Sequence, residues 1–368
     1  MSNKMFYPIE KFPVARDDKY YLAWPDLALT GDGRLICVYN ECVHHTDRSY
    51  TRIMLCESSD RGRSWSEPRA LTGGTRNLPY SYNCPRISRL RDNRLVIIVD
   101  RVPASGEKDA DKAVNELYFS SDNGSSWSPP QEIPLRGIVP DKLVELDNGR
   151  WLAAAHYPHC RKLAEFLRYS DDGGQTWSEP VTVAQDSRYN LCEVSLLPMG
   201  NGVVVALLRE NSALGLDCFK TISYDNGQSW SPLIHFPLPG CHRPVAGKLN
   251  EGVYLITHRF IQGGYGWPET WDHNFFAAIT TRESLLAIRR NDAQTRIMPI
   301  DYDRSPYADT GYSGWVQFDD GEIYVVNYIV DDHYDKGQIR GYSMRLESFL
   351  FMPPEGVSGL PTHQQKVF

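Results

Sequence analysis

Ser58-Ser59-Asp60-Arg61-Gly62-Arg63-Ser64-Trp65 is the first of four copies of one phrase, Ser-x-Asp-x-Gly-x-Ser/Thr-Trp. The others are SSDNGSSW at 120–127, SDDGGQTW at 170–177 and SYDNGQSW at 223–230. Their aspartates, Asp60, Asp122, Asp172 and Asp225, lie 62, 50 and 53 residues apart, a period that marks a propeller or another repeat architecture. The phrase has the chemistry of a tight turn. An Asp side chain bonds nearby backbone in an Asx-turn, and the Gly two residues on supplies a positive φ. The Trp offers a broad apolar face to wedge between neighbouring blades. A calcium loop of the EF-hand kind needs further spaced oxygen ligands and a distant Glu, and no copy has them. The four copies are expected to build the fold and not to catalyse.

Composition narrows the function classes. With 12% aromatic residues, 28 Gly and 24 Pro, the chain reads as a globular β protein of short strands and polar turns. A net charge of −7 gives no support to nucleic-acid binding. No apolar run reaches the 18 residues of a membrane span. The start, MSNKMFYPIEKF, has no apolar signal region, so a cytoplasmic location is expected unless a leader has been removed. The eight Cys show no CxxC spacing, which fits reduced buried thiols better than a disulfide framework. Cys84, Cys192 and Cys241 recur just ahead of strand starts. A zinc site is the rival reading, but repeated thiols more often fill small apolar space, so neither metal nor cofactor is expected. No linker divides residues 1–368, which read as one domain. The sequence leaves the oligomeric state open.

Alternating strands and turn dipeptides give six hairpins, at 24–41, 84–101, 139–157, 192–211, 242–260 and 312–332. The fold class is therefore all-β, a six-bladed β-propeller with the repeated phrase between the third and fourth strands of a blade. The phrase is missing from blades five and six; TTRESLLAI takes its place in blade five. The segment around residues 6–13 is expected to supply the last blade's fourth strand and so close the ring. A hairpin brings its first strand's start and its second strand's end together. The strand starts carry Asp26, Arg86, Asp141, Glu193, Arg243 and Tyr312. The return ends carry Glu41, Asp100 with Arg101, His156, Arg209 with Glu210, His258 with Arg259, and Asp331 with Asp332. All should gather on one face, opposite the repeated turns.

The phrase is the Asp-box, and on it the chain resembles the sialidase (neuraminidase) superfamily of β-propellers. The resemblance implies a retaining glycosidase with a Tyr nucleophile, the exception to the two-carboxylate scheme. Glu193 and Arg209 resemble the family's Glu…Arg pair of the fourth blade, and Tyr312-Ser313 its Tyr-Ser opening the last blade. Asp47, in CVHHTDRSY, stands where the family's acid/base Asp lies. Arg209, Arg243, Arg86 and Arg259, with Asp26, Asp141 and His156, are then the expected substrate-binding set, and an acidic carbohydrate the expected partner.

One departure bears on the substrate. The family opens blade one with Arg-Ile-Pro; here the stretch is Tyr21-Leu22-Ala23-Trp24-Pro25-Asp26, without an Arg. Trp and Ala do not replace bidentate Arg–carboxylate recognition. The sugar is accordingly sialic acid or another anionic monosaccharide. Two other readings stay open: a uronate lyase using His156 or His258 with Tyr312, and a non-catalytic glycan-binding propeller. GGYGWP at 263–268 is expected as a rim loop whose aromatics stack on a sugar or pack on the propeller.

Overall fold

The computed structural model describes residues 9–212, 214–261, 273–331 and 336–349. Among them the strands form six antiparallel sheets, one for each expected hairpin. Blade one runs Tyr21–Leu29, Leu35–His44, Asp47–Ser58 and Arg69–Ala70. Blade four runs Leu191–Gly200, Val203–Glu210, Asp217–Ser223 and Ile234–Pro239. Blade six has Thr310–Gln317, Ile323–Ile329 and Gln338–Met344, and Glu10–Ala15 pairs with the last of these, Glu10 facing Ser343 and Phe12 facing Gly341. The N-terminal strand therefore completes the last sheet and leaves no open seam between the two ends of the ring.

Both faces of a propeller sheet are covered, so the second strands read as nearly continuous apolar runs. In Leu95-Val96-Ile97-Ile98-Val99, the residues Leu95, Ile97 and Val99 pack towards blade one. Val96 and Ile98 pack towards blade three, against Trp151 and Ala153. Among the described residues, six such clusters hold the molecule together, and the one between blades six and one reaches on to Cys84, Val102 and Val139 near the axis.

The repeated phrase closes the turn between third and fourth strands in blades one to four. Its Ser begins the work: Ser58 Oγ accepts from Gly62 N at 2.8 Å and donates to Asp60 Oδ1 at 2.8 Å. Asp60 then accepts from Ser64 N at 2.9 Å and Ser64 Oγ at 2.6 Å. These bonds hold the Asp60, Asp122 and Asp172 carboxyls down at about 2, the hydroxyl of residue i+4 contributing most. The carboxylate thus reaches four residues along the chain, two further than a simple Asx-turn. In blade five the short helix Arg282–Leu286 stands in for the phrase, capped by Thr281 Oγ1 on Ser284 N.

Gly62 is required twice over. Its φ is +82°, and a Cβ there would sit 2.1 Å from Cζ of Tyr324 in blade six. Tyr324 also donates to the Gly62 carbonyl at 2.7 Å. Gly62→Ala is expected to destabilise the fold by about 2 kcal/mol or more through overpacking and strain. Urea denaturation checks this; an unchanged midpoint would show that the turn tolerates a Cβ.

Candidate active site

Four inner strands break their ladder where they reach the ring's open face. The register shifts between Ala23 and Asp26, Cys192 and Ser195, His242 and Val245, and Thr310 and Ser313. Trp24, Glu193 and Arg243 sit at these breaks with φ of +50 to +51°, as does Val139 at the equivalent place in blade three. Such bulges re-aim side chains, and non-Gly residues with positive φ cluster at functional sites. The strand starts fall into two tiers, one that lines a cavity and one that does not.

The upper tier lines a cavity of about 370 Å³. Trp24, Val139, Glu193 and Tyr312 contribute from the inner strands, and His156, Arg209 and Arg259 from the return ends. The lower tier is sealed around the axis. Asp26 is fully buried, accepts from Ile87 N at 2.8 Å and pairs with Lys142 Nζ at 2.9 Å. Asp141 accepts from Leu196 N at 2.7 Å. Arg86 donates to the Ser313 carbonyl at 3.0 Å, and Arg243 to the Pro140 carbonyl at 2.8 Å. Asp26, Arg86, Asp141 and Arg243 therefore stitch blades together. The expectation that they line the substrate cavity is corrected: none of the four is among its lining residues, and each bonds a neighbouring backbone.

In the cavity, Tyr312, Glu193 and Arg209 form one hydrogen-bonded unit. The Tyr312 hydroxyl donates to Glu193 Oε1. Arg209 Nη1 donates to the same oxygen at 2.7 Å and to the Tyr312 oxygen at 3.1 Å. Burial alone would push the Glu193 carboxyl up, but the charge and hydrogen bond of Arg209, the charge of Arg243 and the Tyr312 hydroxyl hold it at about 2. Burial, then the Glu193 charge, pushes the Tyr312 phenol well above its ordinary value, while Arg209 and Arg259 pull it back. The resting pair is a neutral phenol on a carboxylate. Arg259 lies 4.8 Å from the Tyr312 ring centre and donates to the Thr310 carbonyl and, at 3.1 Å, to Asp309.

The expected histidines are buried and neutral. His156 Nδ1 accepts the Glu193 N–H at 3.3 Å, so its proton sits on Nε2, and burial lowers its pKa to about 4. His258 lies fully buried outside the cavity wall, with Nδ1 on the Arg259 carbonyl at 2.9 Å.

Asp47 is a second correction. His45 and Thr46 form a two-residue tip between the paired His44 and Asp47. Asp47 is exposed on the outside of that tip, capping Ser49 N at 2.9 Å, and does not line the cavity. Its neighbours do. Arg48 lies 3.8 Å from the Trp24 ring centre and donates to Asn83 Oδ1 at 3.0 Å. His45 meets Trp24 edge-on at 5.3 Å and bonds Asp309 through Nδ1. Sequence reasoning missed Trp24, His45, Arg48, Asn83 and Lys108, the last from the 3-10 segment Gly106–Lys112 at the cavity edge. Among the described residues no group of His, Cys, Asp or Glu is arranged to hold a metal ion. Residues 263–268 and Asp332 lie outside the described residues.

The profile of the BNR repeat-like domain matches residues 75–325. The chain belongs to the BNR repeat-like domain family. No curated relative matches the sequence of this BNR propeller. Solved structures similar to it include a protein of unknown function from Dyadobacter fermentans, 19% identical, TM-score 0.72, covering 92% of this chain and 99% of that one. The intramolecular trans-sialidase of Ruminococcus gnavus is 13% identical, TM-score 0.69, over 95% and 99% of the two chains. A Hadza microbial sialidase is 16% identical, TM-score 0.64, over 90% of this chain and 66% of that one. At these identities the likeness establishes the fold, a sialidase-like six-bladed BNR propeller.

Proposed function

We propose that this BNR propeller is a retaining glycoside hydrolase that releases a terminal acidic sugar from a glycan. The observation that carries the reading is the Tyr312–Glu193–Arg209 unit at the cavity floor. A phenol is a poor nucleophile without a partner base. As the phenol oxygen attacks the anomeric carbon, its proton passes to Glu193, and Arg209 spreads the charge over both oxygens. Among the described residues, Arg48, Arg209 and Arg259 share the cavity wall with the acidic residues Glu193 and Glu107, a balance that favours an anionic ligand. The missing first-blade Arg bears directly on this. Arg48 reaches the cavity over Trp24 from the hairpin tip, so blade one supplies a guanidinium from a different strand. A volume of about 370 Å³ is at the small end of ligand pockets and suits one sugar residue better than a chain.

Aryl glycosides of sialic, glucuronic and galacturonic acid, with their neutral counterparts, test the reading. Release of the phenol from an acidic member only, with retained anomeric configuration, is expected. Turnover of a neutral sugar, or an ultraviolet-absorbing unsaturated product, would contradict it. Arg48→Ala is expected to raise KM for the acidic substrate about 10- to 100-fold, the scale of a charged hydrogen bond, with a smaller change in kcat. An unchanged KM would remove Arg48 from the anion site.

A further inference from the structure

With Asp47 turned outward, no first-blade carboxyl among the described residues lines the cavity to protonate the leaving oxygen. Glu193 is committed to Tyr312, and His156 offers no free basic nitrogen. The same hairpin tip, however, puts a different titratable group into the cavity wall. His45 lines the cavity with a side chain about one third exposed (35%). Its Nδ1 is held by Asp309 Oδ2, and among the described residues no protein group bonds its Nε2.

Asp309 is built as an anchor. Tyr21 donates to Oδ2 at 2.6 Å, while Tyr328 and Arg259 donate to Oδ1 at 2.5 and 3.1 Å. His273 Nδ1 lies 3.5 Å from Oδ1. Burial would raise its carboxyl, but the charge of His45, contact with His273 and the charge of Arg259 hold it well below the usual range. A fixed carboxylate on Nδ1 sets the tautomer and orientation of an imidazole and leaves Nε2 for proton transfer. Arg259 ties this pair to the nucleophile, because the guanidinium that touches Asp309 also lies against the Tyr312 ring.

We infer that His45, oriented by Asp309, is the proton donor and acceptor at the leaving oxygen, the task the sequence pattern gave to Asp47. The inference rests on the hydrolase reading. In the first step the Tyr312 oxygen bonds the anomeric carbon as its proton moves to Glu193. The bond from that carbon to the leaving oxygen breaks, and the oxygen takes the Nε2 proton of the His45 imidazolium and departs as an alcohol. In the second step a water gives a proton to neutral His45 Nε2 and bonds the anomeric carbon. The Tyr312–carbon bond breaks, and the phenol recovers its proton from Glu193.

The test compares two glycosides of one acidic sugar, with a para-nitrophenol and a simple alkyl alcohol as leaving groups. His45→Ala is expected to lose about 10²- to 10⁴-fold in kcat on the alkyl glycoside. On the nitrophenyl glycoside, whose leaving group needs no proton, azide is expected to restore turnover and yield the glycosyl azide. Asp309→Asn should show a weaker loss with the same leaving-group dependence, and Asp47→Asn should change neither rate by more than about 3-fold. His45→Gln serves as a second variant should the Ala form fail to fold. Equal losses on both substrates without azide rescue, or collapse in Asp47→Asn, would overturn the assignment while leaving the hydrolase intact. Wild-type protein that turns over neither glycoside would remove the hydrolase reading and this assignment with it.

Discussion

Replacing Tyr312 by Phe is expected to lower kcat on an acidic aryl glycoside by about 10⁴-fold or more, on the scale of removing a catalytic group that acts as part of a unit. The melting temperature should move by only a few degrees. The substitution keeps the ring against Arg259 and Tyr328, and Glu193 Oε1 retains Arg209 at 2.7 Å. What disappears is the phenol oxygen that would attack. Glu193→Gln should cost about 10²- to 10⁴-fold, as loss of the base does. Its amide can still hydrogen-bond the phenol but cannot take the proton. Steady-state kinetics beside a thermal melt separates the chemical loss from unfolding. Near-full activity in Tyr312→Phe would refute the Tyr nucleophile.

Arg243→Ala is expected to act on stability first, costing about 3–5 kcal/mol in guanidinium denaturation, as removal of one member of a buried charge group does. Arg243 is 1% exposed and its charge acts on Asp141 and Glu193, of which Asp141 would lose its main compensating charge. Its bonds to the Val139 and Pro140 carbonyls also tie blade five to blade three across the ring. A substrate clamp would behave differently, raising KM with the unfolding midpoint unchanged. That outcome would place Arg243 back in the cavity.

The fold was legible because its turns repeat chemistry. Ser58, Asp60, Gly62 and Trp65 recur at fixed offsets, each tied to a turn bond or an inter-blade contact, and the period then fixes the blades. Tyr312, Glu193, Arg209, Arg259 and His156 come together because hairpin geometry alone carries strand starts and return ends to one face. Asp26, Arg86 and Asp141 were misread because the kink, and not the hairpin length, decides which position of each inner strand reaches the cavity. Asp141 and Glu193 both look like strand starts, yet Asp141 lies two places past its kink and Glu193 on it. A signal was present: Trp24-Pro25, Val139-Pro140 and Arg243-Pro244 place a Pro directly after the kinked residue. Aligning on those prolines, and on Pro85 in blade two, puts Asp26, Arg86 and Asp141 in one tier, while Arg243 sits on its own kink and is buried there by its bonds to blade three. The hairpin tip held no such signal. His45, Asp47 and Arg48 are three ionisable residues in four, and only the tip's twist and the distant Asp309, 264 positions along the chain, decide which faces inward.

The central claim, a Tyr nucleophile in an anionic-sugar site, is tested most directly by trapping its intermediate. An acidic glycosyl fluoride carrying a second fluorine beside the anomeric carbon slows release of the enzyme-bound sugar. Intact mass followed by peptide mapping then locates it. One sugar per chain on the peptide containing Tyr312, absent in Tyr312→Phe, is the predicted result. A sugar bound to Glu193 or another carboxylate, or turnover with no adduct and inverted configuration, would contradict it.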